Sequence, residues 1–231
     1  MNYYFLLEDE KSFIKILPKW LEYCNFNCTR VTDITEVKNN NYVMQSGQGI
    51  TQLVTKALYA TIDTIQNYHC IDKLIIILDA EDITGDHRKT IVWNKIQEKY
   101  SIDDLDFEIK IFVCNRCLET WLLGAQGYFP SYVEPSADIY KYWNFYNVDK
   151  YNPKLMLKPS DEVCSISKFH FHYFHDVMLY NHLKYTKKKP QCVLTTDFFQ
   201  RLENRVIQTN DLISFREFYD FLIEEGEKNR T

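Results

Sequence analysis

The stretch KLIIILDAED, residues 73–82, decides how this chain is read. Leu74 to Leu78 form an unbroken aliphatic run with no polar alternation, the pattern of a strand covered on both faces. The run stops abruptly at Asp79, Glu81 and Asp82, so a deeply buried strand surfaces where acids stand together.

Upstream, YYFLLE (residues 3–8) has the same form: an apolar strand closed by Glu8. A helix is predicted over residues 11–24, burying Phe13, Ile14, Leu17, Leu21 and Cys24, with Pro18 predicting a kink or a late start. After Asn39, Asn40 and Asn41 comes a short strand, YVMQ, then SGQG, then an amphipathic helix. There Ile50, Leu53, Val54, Ala57, Leu58, Ile62 and Ile65 make one stripe. Beyond the 74–79 strand follow a loop at Gly85, a helix over about residues 87–99, the strand EIKIFVC (108–114) and a short helix holding Thr120 to Leu123. Strands alternating with helices of this length predict right-handed crossovers and an α/β fold, a largely parallel sheet flanked by helices.

Past about Gly127 the character changes. Tyr, Asn, Lys and Pro crowd residues 128–160, and helices are predicted around 172–186, 196–207 and 215–225, the last opening on a Ser214/Glu217 capping box. The expected organisation is an α/β domain over residues 1–126 and a mostly helical C-terminal annex over residues 127–231.

A chain of 231 residues, 45% hydrophobic and 16% aromatic, is long and apolar enough for one sizeable core or two small ones, which excludes a disordered protein. The formal charge of -5 excludes a global basic footprint, so a nucleic-acid partner has to be held by local patches or through bound metal. No basic n-region opens the sequence, and no apolar run approaches the roughly 20 residues a membrane crossing needs. With seven irregularly spaced cysteines, this predicts a cytoplasmic protein with reduced thiols and no membrane contact.

In a parallel sheet, ligands gather outside the carboxyl ends of the strands. Glu8, Asp79 with Glu81, and Glu119 all lie at or just beyond predicted strand ends, so the carboxylates converge if the strands are neighbours. Carboxylates brought together repel unless they are protonated or bind a cation, and their hard oxygens suit Mg2+ or Mn2+. The bland alternative is that each acid caps a helix.

The pieces FLLEDE (5–10), SGQGI (46–50), LDAED (78–82) and LETWLLG (118–124) together resemble the TOPRIM domain, and most nearly the OLD-type and small TOPRIM-like proteins of antiphage systems. The likeness covers roughly the first 125 residues. It matches Glu8 to the TOPRIM glutamate, Asp79 and Glu81 to the paired acids, and Glu119 to the acid of the third motif. Two positions depart: Asp9 stands where a glycine usually follows the glutamate, and Glu81 is the longer of the two acids.

What the resemblance implies is a Mg2+- or Mn2+-dependent nuclease cleaving phosphodiester bonds in DNA or RNA/tRNA, an antiphage effector beside an ABC-type ATPase. Glu8, Asp79, Glu81 and Glu119 would be metal ligands, and Glu8, Asp79 and Glu81 catalytic together with Lys168, a cation expected near the acids. The alternative is a degenerate TOPRIM fold, a sensor or adaptor subunit that binds a partner without cleaving.

Weaker signals carry two readings each. Gly47 and Gly49 precede a helix, as a phosphate-admitting turn or simply a tight one. His172 and His175 share a helix face within FHFHYFHD, for substrate or for core packing. Lys187 and Lys188 lie in the densest basic run, for a phosphate backbone or for solvent. Cys114 and Cys117, with Cys24 and Cys28, could supply zinc thiolates or small buried hydrophobes.

Overall fold

A computed structural model describes residues 1–230. Its centre is a five-stranded, wholly parallel sheet in the order β2-β3-β1-β4-β5, comprising β1 (Tyr3–Leu7), β2 (Thr29–Arg30), β3 (Asn41–Ser46), β4 (Lys73–Asp79) and β5 (Glu108–Cys114). β1 is central, pairing Tyr3 with both Tyr42 and Lys73, and Leu7 with both Ser46 and Ile77. All of β1 is buried because alternate residues feed two separate layers.

On one face Tyr4, Leu6, Leu74, Ile76 and Leu78 meet α3 (Leu58–Tyr68) and α4 (Gly85–Gln97). The single turn α2 (Ile50–Gln52) and a π-helical stretch over Leu53–Ala57 lead into α3, which carries the predicted apolar stripe.

On the other face Tyr3, Phe5, Leu7, Ile75 and Ile77 meet α1 (Phe13–Tyr23) and α5 (Leu118–Leu122) together with helices from the C-terminal region, α7 (Ile166–Tyr180), α8 (Thr196–Gln208) and α9 (Ile213–Lys228). Trp121 packs on Phe13, Trp20, Phe215 and Phe218, and Phe218 in turn reaches Phe112 of β5. At the amino edge the Tyr3 hydroxyl donates to Glu225 Oε2 (2.8 Å), and Lys73 Nζ donates to Glu225 Oε1 (2.9 Å). No helix among the described residues is long and apolar enough to cross a membrane.

Several boundaries differ from expectation. α1 starts at Phe13 rather than at 11 and carries Pro18 in its interior, so the proline does not set its start. α7 begins at Ile166, not near 172, because the Ser165 hydroxyl accepts the Lys168 amide and caps it there. The Ser214/Glu217 capping box does not form: Leu212 occupies the cap position, Ser214 Oγ accepts the Trp121 indole N–H (3.0 Å), and Glu217 pairs with Lys89. The two-residue β2 and α6 (Tyr140–Phe145) were without a sequence signal.

Because Trp121 is fully buried between helices from both ends of the chain, Trp121→Ala should cost about 3–5 kcal/mol in urea unfolding. The exposed Val163→Ala should stay within about 0.5 kcal/mol of the parent. A Trp121→Ala loss below about 1 kcal/mol would mean that the aromatic layer is not the core.

Candidate active site

A parallel sheet sends every strand's carboxyl end to one edge, and the acids gather there. The Glu8 amide donates to Ile77 O (3.0 Å), extending the β1–β4 ladder by one bond, and Glu8 Oε2 accepts the backbone N–H of Asp79 (2.6 Å). The Glu8 side chain therefore lies across the end of β4.

The glycine turn supports this from the other side. Gly47 N donates to Leu7 O (2.6 Å) and Gly49 N to Glu8 O (2.7 Å). A Cβ on Gly47 would meet Leu53 Cβ at 2.7 Å, and Gly49 holds φ +93°, so both positions need glycine. Gly49 borders a hollow lined by Asp9, Glu10, Lys11 and Gln48, in which two acids outnumber one base. Asp9 caps α1, its carboxylate accepting the amides of Lys11, Ser12 and Phe13.

Beyond Asp79 the chain turns through Glu81, at φ 55°, against Arg116, at φ 72°. The Glu81 amide donates to Arg116 O (2.7 Å), and Arg116 Nη1 donates back to Glu81 O (3.3 Å). Arg88 Nη2 donates to Ala80 O (3.1 Å) and reaches Glu81 Oε2 (3.4 Å). Glu81 is thus at the rim, 49% exposed and paired with Arg88.

Glu8, Asp79 and Lys187 line two adjoining spaces. One is a narrow pocket of about 50 Å³ reaching Cys114 and Leu118. The other is an open cleft of about 380 Å³ walled by Glu81, Ser165, Lys168 and Phe171. Glu119 lines neither; it is fully buried, with Oε1 accepting the Tyr185 hydroxyl (2.9 Å) and Oε2 lying 3.7 Å from Lys187 Nζ. Glu119 Oε2 has no hydrogen-bond partner.

Burial pushes the Glu8 carboxyl up to about 7, against the pull of the Asp79 amide, with Glu81 adding to the rise. Burial, and then Glu8, push Asp79 well above the usual aspartate range. Burial alone would lower Lys187, but Glu119 and Asp79 outweigh it and hold the ammonium above the usual lysine range. The centre is short of positive charge.

Among the described residues, no three of His, Cys, Asp and Glu are grouped as a metal site. The donor chemistry nonetheless fits one hard cation at Glu8 and Asp79: two oxygen ligands destabilised as anions, opening onto a cleft, with Glu81 at its rim.

Of the other predicted residues, Lys168 and Lys187 reach the cleft. His172 and His175 do not line it: both rings pack against Phe171, and His175 Nδ1 bonds Asp176 (2.8 Å). Lys188 is exposed, its carbonyl accepting from Lys15 Nζ. Cys114 and Cys117 are buried thiols whose pKa burial pushes up, as hydrophobes rather than zinc ligands. The bracing by Arg88 and Arg116 and the capping by Asp9 were not read from the sequence; of these, only Asp9, three residues before Ser12-Phe13, leaves a signal there.

No family model, curated protein or solved structure matches the chain.

For metal-free protein the sign of the pH dependence follows. A carboxyl raised from 4.5 to about 7 makes the folded state bind more protons between those values, so this contribution to stability is lost as pH rises from about 4.5 to about 7. With chelator present, Glu8→Gln should therefore melt above the parent at pH 8 and close to it at pH 4.5. Parallel pH profiles for the two proteins would contradict the burial of this charge.

Proposed function

We propose that this protein is a TOPRIM-type nuclease dependent on Mg2+ or Mn2+, cleaving phosphodiester bonds in DNA or RNA. The observation that carries the proposal is the meeting of Glu8 and Asp79, from adjacent parallel strands, in one cleft that also holds Lys168 and Lys187. Carboxylates for a hard cation beside the Lys168 ammonium for an anion form a combination suited to a phosphate ester.

Glu8 and Asp79 would hold the metal, with Glu81 completing the set from the rim. Bound Mg2+ or Mn2+ supplies stabilisation of the charge that develops on the scissile phosphate. Lys168, exposed at the N-terminus of α7, binds a phosphate oxygen and orients the strand, while Phe171 offers an aromatic wall to a base. Glu8 Oε1, the oxygen not engaged by the Asp79 amide, is placed to hold or pass a proton. The same resemblance extends to an antiphage effector role with an ABC-type ATPase partner, which would bring nucleic acid to a chain of net charge -5.

A second reading, the sensor or adaptor that binds without cleaving, is favoured by one observation. Glu81 is paired with Arg88 at the rim, and Glu119 is buried on Tyr185 outside the cleft, so half of the acid set is turned to partners within the chain.

Single- and double-stranded DNA and RNA, offered with Mn2+ or Mg2+ and with a partner ATPase where one is found, should be cut. EDTA should abolish cutting, and Glu8→Gln or Asp79→Asn should lower it by about a hundredfold or more with folding intact. Lys168→Ala should raise KM more than it lowers kcat. Undiminished cutting in both acid variants would sink the nuclease proposal; metal binding with every substrate left uncut would select the adaptor.

A further inference from the structure

Lys187 does not sit on its turn as a solvated lysine does. Thr186 and Lys189 close the turn, the amide of each donating to the other's carbonyl (3.3 and 2.9 Å), and Lys187 leads its tip. The turn is tied down at two points. Before it, the buried Tyr185 bonds Glu119; within it, Lys15 Nζ donates to Lys188 O (2.6 Å). Lys188 and Lys189 face solvent, whereas the Lys187 side chain is only 38% exposed and borders both the narrow pocket and the open cleft.

An ammonium is thereby presented to three carboxylates that need a positive charge. One oxygen, Glu119 Oε2, is fully desolvated and bonded by nothing, so the Lys187 ammonium 3.7 Å away is its compensation. Glu8 and Asp79 face the same ammonium across the narrow pocket. A divalent cation seated on Glu8 and Asp79 would face that like charge across the same narrow pocket and be repelled by it.

We infer that Lys187 is a tethered counter-ion of the acid centre, competing with the divalent metal for Glu8 and Asp79. Glu119 then anchors the lysine and is not a metal ligand. The inference rests on the metal-centre reading given above, and it adds a regulatory element: the lysine opposes metal occupancy.

The test uses the full chain without nucleic acid, and Mn2+ alone as the probe, followed by calorimetry. Lys187→Met should bind Mn2+ about tenfold more tightly than the parent, the scale of removing one like charge from a partly solvated site. Lys187→Arg, which keeps the charge, should bind as the parent does.

Thermal melts confirm folding of each variant; if Lys187→Met fails to fold, Lys187→Gln takes its place. If the parent binds Mn2+ and Asp79→Asn does not, while the neutral Lys187 variant gains nothing, the counter-ion inference is overturned and the metal centre stands. If neither the parent nor the neutral variant binds Mn2+, the metal centre itself is overturned.

Discussion

The bond from the Asp79 amide to the Glu8 carboxylate, at 2.6 Å, is the point on which the site depends. It exists because β1 and β4 are parallel neighbours in a sheet covered on both faces, so that both chains leave the apolar layers at the same height. A side chain from one strand then closes the end of the next. The Gly47–Gly49 turn, hydrogen-bonded to Leu7 and Glu8, and the Asp9 cap on α1 hold the same residue from its two other sides. Glu8 is thus fixed by backbone on every strand that touches it.

Fixing acids in this way has an electrostatic cost that the surrounding chain meets by cations. Arg88 and Arg116 are spent on the carbonyls and carboxylate of the Ala80–Ile83 loop, bracing a left-handed Glu81 that would be strained without support. Lys187 is spent on Glu119 and faces Asp79 and Glu8. Even so, Glu8 and Asp79 are both raised above their ordinary range, so the compensation is incomplete where the cleft opens. The rim is neutralised around an interior that is not.

How much of this was legible follows from where each feature is encoded. β1, β4 and β5 are largely buried, near-continuous apolar runs, and such runs have few other readings; the acids that end β1 and β4 place Glu8 and Asp79 at one edge once the sheet is parallel. The parallel α/β sheet with a helical C-terminal region is what the structure has. β2, by contrast, is two exposed residues, which carry no periodicity to detect. Ser214 and Glu217 have the spacing of a cap, but Trp121, distant in sequence, claims the serine hydroxyl. The partners of Glu119 were illegible for a similar reason: Tyr185 lies 66 positions away on a turn whose approach is set by tertiary packing, not by local pattern. Local chemistry names the acids; long-range packing decides which cations they keep.

The layer that joins α1, α5 and α9 has a further bearing on how the molecule forms. Tyr3 and Glu225 are 222 positions apart, yet they share a hydrogen bond, and Phe218 closes over Phe112 of β5 from beyond the whole intervening helical region. During synthesis the strands are complete long before this cover arrives. One face of the sheet, with Phe5, Ile75, Ile77 and Phe112, therefore stays open to water or to other nascent chains until α9 docks. Contacts at such separation slow folding by delaying the reward for chain closure. The acid centre, whose geometry needs β1 and β4 in final register, is then assembled on a sheet whose second face is sealed last, so nascent protein passes through a stage with its strands paired and its largest aromatic surface uncovered.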